Sequence, residues 1–196
     1  MTAFNARTIC ALFFLLAACL QSAGVSARAE GTSEARAAAM ASHVVQWSGA
    51  PGGICAVIGA ADADLAMAMA KQGEFVVQAL CPDRACCESV RKAVRAKGMY
   101  GPVSADTLPP GRLPYTDNLV NLVIVDSYPA LAKAGPSPRE VLRVLAPLGI
   151  AYLGTSSPAV SRAWAEELAA SLRSQGAEEV SVVETERTWV RMRKLP

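Results

Sequence analysis

GRLPYTDNLVNLVIVDSYPALAKAGPSPREVLRVLAPLGIAYLGT, from Gly111 to Thr155, carries the most information in this chain of 196 residues. It reads as a turn, a buried strand, a loop, an amphipathic helix, a Pro-Leu-Gly turn and a second buried strand. Leu119–Val125 (LVNLVIV) is short, apolar and β-branched, without helical spacing, as a strand covered on both faces requires. Val141, Leu142, Val144 and Leu145 fall on one side of a helix that Pro138 opens at its first turn and Pro147 stops. Ile150–Leu153 then resumes as a strand. Strand, crossover helix and strand make a parallel α/β sheet.

The rest of the chain extends that pattern in both directions. Residues 30–49 form an Ala-rich N-terminal helix running into Trp47, ahead of a main domain at residues 50–196. Ile54–Ile58 (ICAVI) is a first strand, followed by a helix over about Asp64–Gln72. Phe75–Leu80 is a second strand, Pro82–Lys97 a helix that ends at Gly98 as a cap, and Val103–Ala105 a brief third strand. After Pro158 comes a helix to about Ser174, with Ala163, Leu168 and Leu172 toward the sheet. Glu179–Glu184 and Thr188–Arg193 alternate apolar with polar and form a β-hairpin through Thr185-Glu186-Arg187.

Length allows one domain, and 52% hydrophobic with 6% aromatic residues suits a globular core rich in Ala, Val and Leu. The net charge of +2 comes from Arg7 and Arg28; beyond residue 29 there are 17 basic and 17 acidic residues. Such a balance makes no electrostatic case for nucleic acid, or for a membrane surface beyond a signal or lipid anchor. Residues 1–29 read as a signal peptide: Arg7, then the apolar run Ile9–Leu20, then Ala27-Arg28-Ala29 ahead of Glu30. A second reading takes Leu16-Ala17-Ala18-Cys19 as a lipobox with Cys19 lipidated, and a third keeps the segment as an anchor. The first two place the domain in the periplasm or cell envelope.

Four cysteines remain outside that segment. Cys55 reads as a small core residue, and Cys81 with Cys86 or Cys87 could close a disulfide in an oxidising compartment. C-x4-C-C is no zinc pattern, and with His43 as the single histidine no metal is expected. His43 itself reads as a surface or packing residue.

Leu113-Pro114-Tyr115-x-Asp117 before a strand, then Glu140-x-x-Arg143-Val144-Leu145-x-Pro147-x-Gly149, resembles the second half of class I S-adenosyl-L-methionine (SAM) dependent methyltransferases of the type 11 kind. The resemblance covers about residues 50–194. It implies a Rossmann-like α/β sheet, mostly parallel, with helices on both faces and a C-terminal antiparallel hairpin. Gly98–Asp106 (GMYGPVSAD) with the strand that follows, and the closing WVRMRKLP of Trp189–Pro196, are similar to the methyltransferase-like segment ahead of pyrroloquinoline quinone type β-propellers in exported planctomycete proteins.

In such sheets ligands bind at the carboxyl ends of the strands, where the strand order reverses. The resemblance then points to SAM at three loops. After the first strand, Gly59 keeps the family's first loop glycine, while Ala61 and Ala63 replace the other two beside Asp62, and Val57 stands where the acid would be. The same stretch also reads as a plain turn capped by Asp62. After the second strand, Cys81 replaces the ribose-binding acid; Asp83 could reach the ribose or N-cap the next helix. Asp106, after the third strand, lies where family members hold the adenine amino group. Asp126 and Tyr128, after the fourth, are the candidate acceptor-side residues, as base and pocket wall or as loop polarity and packing. No Ser-His-Asp set, Walker loop or GxGxxG is present, and methyl transfer needs none, because it rests on alignment of nucleophile and methyl.

Three functions fit. One is a SAM-dependent methyltransferase-like domain with degraded cofactor loops, its acceptor a small molecule or protein. A second is an exported, non-catalytic binding or scaffold module for an envelope protein. The third is a general nucleotide-binding Rossmann-like domain.

Overall fold

A computed structural model describes residues 33–131, 135–154, 161–184 and 188–196. The signal and lipobox readings and the hairpin link Thr185-Glu186-Arg187 lie outside the described residues. Within them, helix α1 (33–48) leads into an alternation: β1 (Gly52–Ile58), α2 (Asp64–Gln72), β2 (Glu74–Cys81), α3 (Arg84–Ala96) and β3 (Val103–Thr107). There follow β4 (Val120–Val125), a short α4 (Tyr128–Leu131), α5 (Pro138–Val144), β5 (Leu145–Gly154), α6 (Arg162–Ser174), β6 (Glu179–Glu184) and β7 (Thr188–Arg193).

The seven strands form one sheet in the order β3-β2-β1-β4-β5-β7-β6. β1 to β5 are parallel, and β7 runs antiparallel between β5 and β6. The expected Rossmann-like sheet with a closing antiparallel hairpin is therefore present. Strand β1 is buried from Cys55 to Ile58, and β4 from Leu122 to Val125, because apolar β-branched runs of this kind are covered by helices on both faces. On one face Cys55, Val57, Leu122, Ile124, Tyr152 and Trp189 pack under α1, α2 and α3. On the other, Ile58, Val123, Val125 and Leu153 pack under α4, α5 and α6.

Local signals set the helix ends. Met99 N donates to Val94 O at 3.0 Å and Gly98 N to Arg95 O at 3.0 Å, closing α3 in a Schellman motif with Gly98 at φ +67°. Gly176 closes α6 in the same way, with Ala177 N bonded to Leu172 O. Ser137 caps α5 through Glu140 N, with Pro138 in its first turn.

Three boundaries and the buried face of one helix depart from the sequence reading. Helix α5 ends at Val144, so Leu145 and Pro147 belong to β5, and Pro147 does not stop the helix. Strand β5 absorbs the proline where its register against β4 shifts, between Val120 and Leu122. Strand β3 runs on to Thr107, since Asp106 pairs with Leu80 of the neighbouring strand. In α6 the buried positions are Ala165, Ala169 and Leu172, spaced four and three apart on one face, and Ala163 is exposed.

The motif of the opening stretch is a fastener. Arg143 meets Glu140 Oε1 at 2.6 Å and Oε2 at 2.9 Å, Asp117 Oδ1 at 2.6 Å and the Tyr115 carbonyl at 2.9 Å. Glu140 Oε1 also accepts from Leu113 N at 2.7 Å. Helix α5 is thereby tied to the turn ahead of β4. At the chain's end Lys194 Nζ reaches Asn118 Oδ1, Leu142 O and Leu145 O at 2.6, 2.9 and 3.0 Å.

Candidate cofactor site

The strand order reverses between β1 and β4, and the loops at their carboxyl ends frame the candidate site. Gly59 leaves β1 at φ +77°, a conformation that favours glycine. Its amide and that of Ala60 both donate to Leu80 O, at 2.8 and 3.2 Å, so the loop is held to the end of β2. A Cβ on Gly59 would lie 2.7 Å from Asp126 O and 2.5 Å from Leu131 Cδ1. The chain's own β4–α4 turn thus occupies the space against the glycine.

Beyond Gly59, Ala61 and Asp62 are exposed and Ala63 is buried. Asp62 Oδ1 accepts from Asp64 N at 3.0 Å, which is the capping reading of the loop in another form, since Ala63 holds the N-cap position without a side-chain bond. Burial raises the Asp64 carboxyl above its ordinary range, and Ser33 at the start of α1 partly offsets that rise. That places the first turn of α1 at the edge of the same loop.

At the end of β2, Cys81 is fully buried, and burial pushes its thiol up to about 12. Asp83 caps α3, accepting from Cys86 N at 2.8 Å through Oδ1. Its neighbour on β3, Asp106, accepts from Thr107 N at 2.8 Å and faces Arg91 of α3 at 3.7 Å. Arg91 also donates to Ala105 O at 3.0 Å, so α3 holds the edge strand from outside. The Cys86 thiol donates to Ala60 O and Ala61 O at 3.2 and 3.4 Å.

After β4, Asp126 N bonds to Ile58 O at 3.0 Å, while its Oδ1 accepts from Ser127 N at 2.8 Å and stabilises a positive φ there. Tyr128 is 5% exposed and its ring lies 6.4 Å from that of Trp164. It is a core residue on the α6 side, so the expectation of an open pocket wall at Tyr128 gives way to packing. His43 likewise packs, its ring 5.3 Å from Trp47. Cys55 is buried, as expected for a core thiol, and burial raises its pKa. Among the described residues no group of three His, Cys, Asp or Glu side chains is arranged to hold a metal.

The topology and helix placement are shared with solved structures. A SAM-dependent methyltransferase from Aquifex aeolicus superposes with a TM-score of 0.64 at 15% identity, over 78% of this chain and 88% of that one. A Methanococcus maripaludis protein assigned to the same class gives 0.70 at 19%, over 80% and 84%. This is the class I methyltransferase fold. The [4+2]-cyclase SpnF shares it too, with a TM-score of 0.58 at 21% identity over 74% of this chain and 60% of that one. Neither a family model nor a curated protein matches the sequence.

On this methyltransferase fold, Gly59, Ala61, Asp62, Ala63, Cys81, Asp83 and Asp106 come together along the ends of three adjacent strands. Asp126 stands across the switch point beside Gly59, whereas Tyr128 lies below it in the core. Sequence reasoning missed three contacts: Leu131 against Gly59, Cys86 against the loop carbonyls, and Arg91 against Asp106. The first two join residues far apart in the chain and leave no local signal; Arg91 carries one, as a basic residue on the half-buried side of an otherwise exposed helix face.

Proposed function

We propose that this chain is a SAM-binding domain of methyltransferase type with altered cofactor loops, exported to the cell envelope and acting on a small-molecule or protein acceptor. What supports it most is the set of carboxylates Asp62, Asp83 and Asp106 on the three consecutive strand ends beside the Gly59 turn. SAM is a cation at its sulfonium and ammonium groups and offers ribose and adenine donors, which carboxylates accept well. Asp62 and Asp106 are exposed at that edge, each with one oxygen, Oδ1, engaged by a local backbone amide. Bound there, SAM supplies an electrophilic methyl group. The chain's own part is to orient it beside Asp126 and to exclude water from the switch point. Titration calorimetry of the full-length chain with SAM tests this. A micromolar dissociation constant is expected; no heat at millimolar SAM, from protein with a native circular dichroism spectrum, overturns it.

A second reading, the non-catalytic scaffold, draws on Leu131 and the Asp126 carbonyl filling the space against Gly59, and on a buried thiol in place of the ribose acid. SpnF, a [4+2]-cyclase, illustrates that this fold serves other ends. An exported domain would also meet little SAM, an intracellular metabolite. The variant Leu131→Ala separates the readings: SAM heat that appears only after that truncation assigns the wild-type chain to the scaffold. Export is tested by fractionating the native cell, with uncleaved cytosolic protein as the overturning result. Palmitate labelling lost on Cys19→Ala identifies a lipoprotein.

A further inference from the structure

We propose that the outer face of α3 docks on an anionic bilayer, with Arg84, Arg91, Lys92 and Arg95 toward the lipid headgroups and Tyr100 among them. The proposal is independent of whether the chain binds SAM.

Beyond residue 29 basic and acidic residues balance, but the fold does not mix them evenly. Each residue of a helix turns about 100°, which puts Arg84, Glu88, Arg91, Lys92 and Arg95 on one stripe about 16 Å long. Cys87, Val90 and Val94 are the buried side of the same helix. The carboxylates of Glu88 and Asp106 both face Arg91, at 3.0 and 3.7 Å. Arg84, Lys92 and Arg95 are exposed, and among the described residues they form no ion pair. The Arg95 guanidinium lies 5.4 Å from the centre of the Tyr100 ring, and Tyr100 is 67% exposed at the end of the stripe.

Helix α3 backs β3, the first strand in the sheet's order. At the opposite edge, α6, the turn after it and β6 carry five exposed carboxylates, Glu166, Glu167, Glu178, Glu179 and Glu184, against Arg162 and Arg173. The neutral sum therefore hides a dipole along the sheet. Residue counts could not reveal it, because it depends on which strands end up at the edges.

The geometry favours a planar partner. A helix face is convex and offers a peptide no groove. Strand addition at β3 has little to pair with, since the strand is five residues long and Arg91 Nε already takes the Ala105 carbonyl at 3.0 Å. An anionic bilayer needs neither groove nor free backbone; it engages the whole row of cations, each contributing about fivefold in affinity. Tyrosine, with an apolar ring and a polar hydroxyl, suits the headgroup level. Docking through α3 also turns the acidic β6 edge away from the negative surface, so dipole and contact act in the same sense.

The test mixes the full-length chain with vesicles of phosphatidylcholine alone, or of equal parts phosphatidylcholine and phosphatidylglycerol. The apolar run Ile9–Leu20 partitions into either, so binding itself is not the readout. Instead, lysines are briefly acetylated and their reactivity is measured by mass spectrometry. On the anionic vesicles Lys92 is expected to lose reactivity by about fivefold, while Lys71 and Lys194 do not change. Added salt restores Lys92. Arg95→Glu removes the protection of Lys92, whereas Lys71→Glu, the same change in net charge, leaves it in place. Protection by phosphatidylcholine alone, no protection of Lys92, or equal effects of the two variants overturns the proposal. Protection by soluble polyglutamate or DNA as strong as by the vesicles also overturns it, assigning the face to an acidic protein or a nucleic acid.

Discussion

Gly59 and Gly98 share a left-handed backbone, at φ +77° and +67°, and differ in what surrounds them. Nothing lies within 4 Å of a Cβ built on Gly98, whereas one on Gly59 meets Asp126 O and Leu131. Gly98→Ala should therefore carry only the conformational cost, about 1 kcal/mol. Gly59→Ala adds a clash with backbone that cannot rotate away, for about 3 kcal/mol in all. Urea midpoints of the two variants check the difference, and equal losses would contradict the packing described here. The two glycines also mark what a sequence can disclose about a site. Both stand in recognisable places, after a strand and after a helix, so their turns were readable. Leu131 pressing on Gly59 was not, because a contact across 72 positions depends on how the sheet folds, not on local pattern.

The fastener between α5 and the turn at Leu113–Asp117 gives the motif of the opening stretch its physical meaning. Arg143 and Glu140 are both largely shielded, and Arg143 bonds to two carboxylates and two carbonyls. Arg143→Met would leave Glu140 without its main partner and should cost about 2 kcal/mol. The Glu140 carboxyl is held below its ordinary 4.5, chiefly by the Arg143 side chain and then by Leu113 N against an opposing effect of burial. A depressed folded pKa means that this stability is complete above about pH 4.5 and is lost as pH falls through the lower folded value. Acid titration followed by circular dichroism should show the wild type losing more stability on acidification than Arg143→Met does. Periodicity revealed α5 and β5 themselves, but their junction was misread. Pro147 looks like a helix stop, yet Leu145 has already left the helix, its amide making the last bond to Val141 O. Asp106 misled in the opposite sense: aspartate is poor in strands, and pairing with β2 overrides that preference.

Across the whole molecule, protection follows position in the sheet. β1 pairs along both edges, with β2 and β4, while β3 and β6 each pair on one side and are largely uncovered. Native-state hydrogen exchange should find the slowest amides in β1 and β4, opening only with global unfolding, and the β3 and β6 amides exchanging through smaller openings. Uniform protection across the sheet would refute this. The alternation of strands and helices was plain in the sequence. The lateral order of the strands was not, because no local pattern says which neighbour a strand chooses. That order bears on Lys194. Its backbone bonds to Leu148 N and Gly149 O, and its ammonium group takes three acceptors around α5 and β5. β7 lies between two antiparallel neighbours whose hydrogen bonds run across its axis. Tension applied at Pro196 would load those bonds in shear, all at once, with the lysine as a bolt at the point of pull. Tension on α1 would instead peel a helix from the sheet turn by turn. The two ends of the domain thus differ in mechanical strength, the carboxyl end resisting more.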